Sequence, residues 1–346
     1  MNSANKMKKV FQEIIKLEFV NTFSKNDRIV NGILNAIDEN ILKKNDPLPS
    51  VNSMIKELGF ARQTIASAYQ ELVHKGVVES KNRVGYFVAS KNSNQTIKVA
   101  LVLYAFDTFQ ETFYENFRKG LGENVQLDIY FHHYNWGSFK SIVEDVSGKY
   151  GMYVIASIPD PRTKQLLKSL PTNRVLLVDR YIETEEDYNY IAQEFKESSY
   201  RAFEALADKI KKYDQLVFYF RQSSADPQDI LSSFNEFVND FQIDSVIEES
   251  YKKGGLEKGK VYFTINNLEL FSMLKDAKLK GFELGKDVGF ISHNDDIVKE
   301  IIFDGITTFS TDFAEMGKEA ATWVLSEKAE KVKKIIPTVL IDRNSL

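Results

Sequence analysis

Three separated stretches near the amino terminus decide the reading: Leu48-Pro49-Ser50-Val51, Leu58-Gly59-Phe60-Ala61-Arg62-Gln63-Thr64-Ile65 and Gly85-Tyr86-Phe87-Val88. Ser50 is placed to cap a helix carrying Val51, Met54, Ile55 and Leu58, and Gly59 supplies the tight turn that ends it. A further helix, 61 to about 74, buries Ile65, Ala68, Tyr69, Leu72 and Val73 and turns Arg62, Gln63, Ser67 and Gln70 outward. Upstream, Ile29, Ile33, Ile37 and Ile41 recur every four positions, which predicts an amphipathic helix over 26–44 that Pro47 stops. Downstream, 77–80 and 85–88 read as two short strands joined by Lys81-Asn82-Arg83-Val84. Helix, helix–turn–helix, hairpin is the order of a winged helix-turn-helix. The first nineteen or so residues are open between an arm and an extra helix.

Such a unit fits the major groove, and the first exposed residues of its second helix are those that reach base edges. Ala61 opens that helix. Arg62 can bond guanine or phosphate, Gln63 can pair bidentately with adenine, and Thr64 and Ser67 suit phosphate oxygens. Lys81 and Arg83, with Gly85 behind them, place positive charge at the hairpin tip.

Charge supports this division. Residues 1–96 hold 14 Lys and Arg against 9 Asp and Glu, a net +5, and the remainder carries −9. A basic head on an acidic body suggests that one end meets a polyanion. The 346 residues suggest two or three domains, and 43% hydrophobic content is ample for full cores. No stretch is apolar enough to span a membrane, and the start does not read as a signal peptide. Cysteine is absent and there are four histidines, which excludes disulfides and thiolate chemistry and leaves little for a metal. These features predict a cytoplasmic protein without cofactor or metal.

The run Leu48-Pro-Ser-Val, Leu58-Gly-Phe-Ala-Arg-Gln-Thr-Ile, Ala68-Tyr, Leu72, Gly76 and Gly85-Tyr-Phe-Val resembles the DNA-binding domain of the gluconate-repressor (GntR) family over about 26–89. The resemblance implies double-stranded operator DNA as partner and puts Arg62, Gln63 and Thr64 at the contacting start of the recognition helix. Family members often carry an arginine two positions after the Ser of Leu-Pro-Ser. Asn52 stands there in this chain, which implies weaker phosphate anchoring at that point or a shift to Lys56. Ser50 and Asn52 remain among the expected DNA-contacting residues, together with Ala61, Arg62, Gln63, Thr64, Ser67, Lys81, Arg83 and Gly85.

Residues 90–96 are polar and aperiodic and read as a linker between a head, 1–89, and a body, 97–346. In the body strand-like runs (97–104, 125–131, 152–155, 174–178, 215–220, 245–248, 260–264, 288–292) alternate with helical ones (112–122, 139–146, 163–170, 194–210, 227–241, 268–279). This predicts an α/β body of parallel strands covered on both faces. The strand number calls for two doubly wound sheets in succession, split near 190–195. Ligands of such sheets sit beyond the carboxyl ends of the strands. The candidates there are Phe106, Asp107, Asp160, Asp179, Arg180, Gln193, Arg221, Asn266 and Asn294. Amides, carboxylates and guanidinium groups suit adjacent sugar hydroxyls, which both donate and accept.

The body is similar to the lactose/galactose-repressor and periplasmic sugar-binding fold. The resemblance lies in Val175-Leu-Leu-Val-Asp-Arg, in Val261-Tyr-Phe-Thr-Ile-Asn-Asn with Gly281-Phe-Glu-Leu-Gly-Lys-Asp-Val, in the run 306–321 and in 336–345. It implies lobes crossing near 190–195, 310–312 and 336–338. It puts Asn266 and Asn294 on sugar-holding positions, and Gln193 and Thr311 on crossing segments that face the cleft. The family's aspartate pair appears as Asn294-Asp295. Its usual arginine after the sixth strand appears as Ile230, with Arg221 as substitute.

Together the two resemblances point to an arabinose-repressor type of regulator. Such a protein is a non-enzymatic homodimer, joined by resemblance through the amino-terminal lobe. It would release a carbohydrate operon in response to a monosaccharide, such as an arabinose- or fucose-like sugar. Three alternatives stay open. A purine would use Phe106, Tyr114, Phe195 or Phe220, a phosphosugar would use extra cations, and an enzyme fused to the head is the third.

Overall fold

The computed structural model describes residues 3–19, 24–89, 97–105, 107–147, 149–183, 187–222, 226–326 and 331–346. The predicted linker 90–96 and Phe106 lie outside the described residues.

The chain begins with a helix, α1 (Ser3–Lys16), whose Val10, Phe11 and Ile14 are buried against α2 (Lys25–Asp38). The two helices meet so closely that a Cβ on Gly32 would fall 2.7 Å from the Ile14 Cα. The α2 helix ends at Asp38, short of the expected Lys44, because Asn40 adopts a left-handed conformation (φ 56°) and turns Leu42 into the core. Next comes α3 (Val51–Leu58), capped by Ser50, whose Oγ accepts from the Ser53 N–H at 3.1 Å. Gly59 ends it at φ 65°. The second helix of the turn, α4 (Arg62–His74), follows, then an antiparallel hairpin of β1 (Val78–Lys81) and β2 (Gly85–Val88). Tyr69, fully buried, donates to the Pro49 carbonyl at 2.6 Å and fixes α4 against the entry to α3.

The first lobe of the body runs β3 (Ile97–Leu103), α5 (Thr108–Leu121), β4 (Val125–Phe131), α6 (Trp136–Val146), β5 (Met152–Ile155), α7 (Pro161–Leu167), β6 (Val175–Asp179) and β7 (Asn189–Gln193). The second continues with α8 (Lys196–Ile210), β8 (Gln215–Tyr219), α9 (Gln228–Phe241), β9 (Ser245–Glu248), β10 (Lys260–Thr264), α10 (Asn267–Lys280), β11 (Gly289–His293), α11 (Ile297–Ile301) and β12 (Thr307–Thr311). The chain closes with α12 (Phe313–Leu325), β13 (Lys333–Ile336) and β14 (Thr338–Ile341).

Two six-stranded sheets result, ordered β13-β7-β6-β5-β3-β4 and β14-β12-β11-β10-β8-β9. Every pairing in them is parallel except β12 with β14. Strands covered on both faces must be apolar throughout, as Val99–Leu103 and Leu216–Phe220 are. The chain passes between lobes after β7, after β12 and between β13 and β14. Thus α12 packs its Phe313, Met316 and Ala320 into the first lobe with Phe113 and Phe117, while α8 packs Phe203 and Leu206 into the second with Phe234 and Phe309. Among the described residues no helix is long and apolar enough to cross a membrane.

Candidate functional site

The carboxyl ends of both parallel sheets open on a cleft of about 650 Å³ between the lobes. Tyr104, the residue after β3, stacks on Tyr134 with ring centroids 4.4 Å apart and planes 8° apart. Its hydroxyl donates to Asp179, which ends β6 in a left-handed conformation (φ 69°). The Gln193 amide donates to the other Asp179 oxygen. Arg180 lies 3.8 Å from the same carboxylate and its guanidinium sits 5.4 Å from the Phe195 ring centre. Burial works against the Arg180 cation, but Tyr104, Tyr134 and Asp179 outweigh it and its pKa lies above the ordinary value. Burial, reinforced by Asp179, keeps the Tyr104 hydroxyl protonated.

The second lobe supplies Arg221, which faces Asp226 at 3.5 Å, together with Asn266, His293 and Asn294. Asn266 caps α10, its Oδ1 accepting from the Leu268 and Glu269 N–H groups at 2.9 and 3.2 Å. Beneath the turn at Asn294, Asp295 is held by Arg343 at 2.7 and 2.8 Å and by Thr308 at 2.8 Å. That pairing keeps the Asp295 carboxylate charged despite burial.

Of the ten ligand positions expected from sequence, Asp107, Asp160, Asp179, Arg180, Gln193, Arg221, Asn266 and Asn294 line the cleft. Asp160 stands at the edge of α7, chelated by Arg162 at 2.8 and 2.6 Å. Thr311 does not face the cleft. It lies behind it, buried, donating to Gln193 Oε1 at 2.9 Å and sharing a bond of 3.0 Å with the Thr338 hydroxyl. The lining also includes polar and aromatic residues not expected from sequence, among them Tyr104, Tyr134, Asp226, Asn267 and His293. Tyr104 follows directly on β3, inside the expected strand run 97–104, and Tyr134 lies three residues beyond the end of β4. His293 comes directly after the expected strand 288–292, at a strand end where ligands of such sheets sit.

On the head, Arg62 Nη2 donates to Asn52 Oδ1 at 2.6 Å, so the residue in the place of a phosphate-gripping arginine steers the arginine of the next helix. Ser50 uses its hydroxyl on the α3 cap. Ala61 caps α4 without a side-chain bond, and Thr64 is half-buried beside exposed Gln63 and Ser67. At the wing, Lys81 pairs with Glu79 at 3.1 Å and lies 4.5 Å above the Phe87 ring, while Arg83 (φ 59°) and Gly85 (φ 132°) shape the tip. The far end of α4 rests on the first lobe. Arg174 donates to the Gln70 carbonyl, and a Cβ on Gly151 would fall 2.3 Å from the His74 carbonyl oxygen. A crevice of about 800 Å³ separates Arg62, Gln63 and Ser67 from Asn173, Arg174 and Trp323. In this arrangement the Arg62–Gln63–Ser67 face of the helix looks toward the body.

Residues 25–88 match the family of bacterial regulatory proteins described as the gntR family. Over 63 residues, 18% of this chain, the sequence is 30% identical to the HTH-type transcriptional regulator Rv1152 of Mycobacterium tuberculosis, and the match spans 52% of that relative. The body aligns with a LacI family transcriptional regulator from Lactobacillus casei solved with bound glucose, at 15% identity over 72% of this chain and 100% of that one, with TM-score 0.61. It aligns equally with the dimeric Lac repressor (12% identity, 72% and 98% coverage, TM-score 0.61). A periplasmic binding protein/LacI regulator from Alkaliphilus metalliredigens complexed with D-xylulofuranose aligns at 11% identity over 72% and 99%, with TM-score 0.58. The chain therefore joins a gntR-type helix-turn-helix head to a body with the two-lobed fold of LacI-type, periplasmic-binding-protein-like regulators.

Proposed function

We propose that this protein is a DNA-binding transcriptional regulator, acting in the cytoplasm, whose grip on its operator is set by a monosaccharide held between the lobes. It would act as the repressor of a carbohydrate-utilisation operon, and the sugar would release it. The observation that carries this reading is the coexistence, in one chain, of a DNA-reading head seated on a hinged body and a cleft walled by strand-end polar groups from both lobes. Solved relatives of the body's fold hold glucose and D-xylulofuranose, which supports a sugar as the ligand class.

Charge in the cleft favours an uncharged ligand over a phosphosugar. Its described lining includes Asp107, Asp160, Asp179 and Asp226 against Arg180 and Arg221, and each of those arginines faces an aspartate. The purine alternative loses two of its aromatic candidates, since Phe220 and Tyr114 pack into the lobe cores. The functional unit is a homodimer, as a twofold operator requires. Ile297 and Ile301 are exposed at the two ends of α11, whose start is joined to that of α10 by an Asn267–Asp296 bond of 3.4 Å, while exposed Leu268 on α10 belongs to the cleft rim. The resemblance to two-lobed regulators points to the amino-terminal lobe as the contact.

Fluorescence anisotropy of the full chain on the DNA upstream of its own gene, titrated with a monosaccharide panel, tests the reading. A sugar that weakens binding 100-fold would correspond to a coupling of about 2.7 kcal/mol. Absence of DNA binding, or indifference to every sugar, would refute it.

A further inference from the structure

Two successive residues on the floor of the cleft carry polar atoms that the protein leaves unsatisfied. His293 ends β11 and is 2% exposed, and neither ring nitrogen has a hydrogen-bond partner among the described residues. Asn294 follows in the left-handed region (φ 60°), and its side-chain Oδ1 is buried and equally unpartnered. Both residues line the cleft. Buried polar atoms are almost always paired, so three orphans at one turn mark groups whose partner comes from outside the fold.

The surroundings hold this turn still without satisfying it. The Lys299 ammonium, itself fully buried, donates to the main-chain carbonyls of His293 at 3.0 Å and Asn294 at 2.5 Å. The Asn294 N–H donates to the Phe309 carbonyl at 3.0 Å. The imidazole packs edge-on against Phe309, with centroids 5.3 Å apart, and tilted against Phe195 at 6.1 Å. A phenyl ring would fill the same space, so packing alone does not account for a histidine. Burial, Lys299 and Arg180 push its pKa down to about 3, so the ring is neutral, with one N–H donor and one lone pair. That combination matches a hydroxyl, which both accepts and donates, and offers no charge to a phosphate.

We propose that His293 is a specificity-determining residue of the cleft, its imidazole reading one hydroxyl of an uncharged polyhydroxylated ligand while the Asn294 carboxamide takes a neighbouring one. Lys299 is the positioning residue that fixes both. The inference rests on the carbohydrate reading of the cleft and names the group that discriminates among such ligands.

The test compares the full-length wild type with His293→Phe and His293→Gln. Melting is measured first without ligand. Then glucose, xylose, arabinose, fucose, their deoxy analogues, glucose 6-phosphate and adenosine are titrated by calorimetry. His293→Phe should melt at or above the wild-type temperature, since it removes orphaned polar atoms and keeps the ring. It should weaken the sugar that binds wild type by about tenfold or more and flatten the preference for that sugar over one deoxy analogue, with His293→Gln recovering part of both. Unchanged sugar affinity in His293→Phe would overturn the inference, as would glucose 6-phosphate as the best ligand. If wild type binds none of these compounds, the carbohydrate reading itself fails. That outcome takes the inference with it, whereas a His293→Phe variant several degrees less stable than wild type ends the inference alone, by showing a structural imidazole, even where a sugar binds.

Discussion

The Thr311 hydroxyl donates to Gln193 Oε1 at 2.9 Å, and this bond joins the last residue of a strand in one lobe to the last residue of a strand in the other. Gln193 spends its amide on Asp179, at the wall of the cleft. A single buried side chain therefore touches both the hinge and the ligand-facing carboxylate. Thr311→Val keeps the shape and strips the donor, leaving Gln193 Oε1 buried and unpaired. A loss of about 1–3 kcal/mol in urea-denaturation stability is expected. Thr311→Ser should restore most of it.

Asn52 holds the Arg62 guanidinium at the start of α4, the position expected from sequence to reach base edges. Arg62→Ala should weaken operator binding by about 10- to 100-fold, as for a lost specific base contact, and relax preference at one base position. Asn52→Ala should reproduce part of that loss by freeing the Arg62 guanidinium. Arg83→Ala at the wing should instead reduce the slope of log affinity against log salt by about 1, with little effect on sequence preference. Anisotropy titrations at several salt concentrations separate the three outcomes.

Seating of the head depends on Gly151, whose missing side chain lets the His74 backbone approach. Gly151→Val places carbon where the His74 carbonyl oxygen lies, so the head should lift from the first lobe. Small-angle scattering should show a larger radius of gyration, and the connection between head and body should be cut faster by protease. Because α4 looks toward the body when seated, operator affinity should rise in the same variant.

Lys299 gives a pH signature. Burial holds its pKa in the fold near 8, against about 10.4 in an unfolded chain. Below pH 8 both states carry the proton and the full cost of the buried cation is present. Between about pH 8 and 10 the unfolded chain binds more protons, so stability rises with pH, by at most about 3 kcal/mol from this group. Lys299→Met should abolish that rise in the difference between wild-type and variant denaturation curves. Parallel curves across this range would refute the assignment.

Much of the architecture could be read locally. Capping by Ser50, the left-handed Gly59 and the buried stripe from Ile65 to Val73 are short-range matters of side-chain chemistry and helical period. The parallel strands announce themselves because a strand covered on both faces is apolar throughout. Where the fold departs from local pattern, the deciding force is not local. The helix expected to reach Lys44 stops at Asp38 because Leu42 gains more from the core than from another helical turn. Strand β7 hides because Tyr188, Asn189 and Tyr190 interrupt its apolar run, and only neighbours on both sides make it a strand.

The sequence by itself determined the helix-turn-helix head, the alternation of the body and most residues at the strand ends, since each follows from periodicity and backbone preference over a few positions. Tertiary structure alone decided that Thr311 would turn away from the cleft to grip Gln193, that Tyr104 and Tyr134 would stack, and that His293 would be buried without a partner. Those relationships join residues tens to more than a hundred positions apart. A side chain's hydrogen-bond partner depends on what the folded lobes bring within reach, a property no short window of sequence contains.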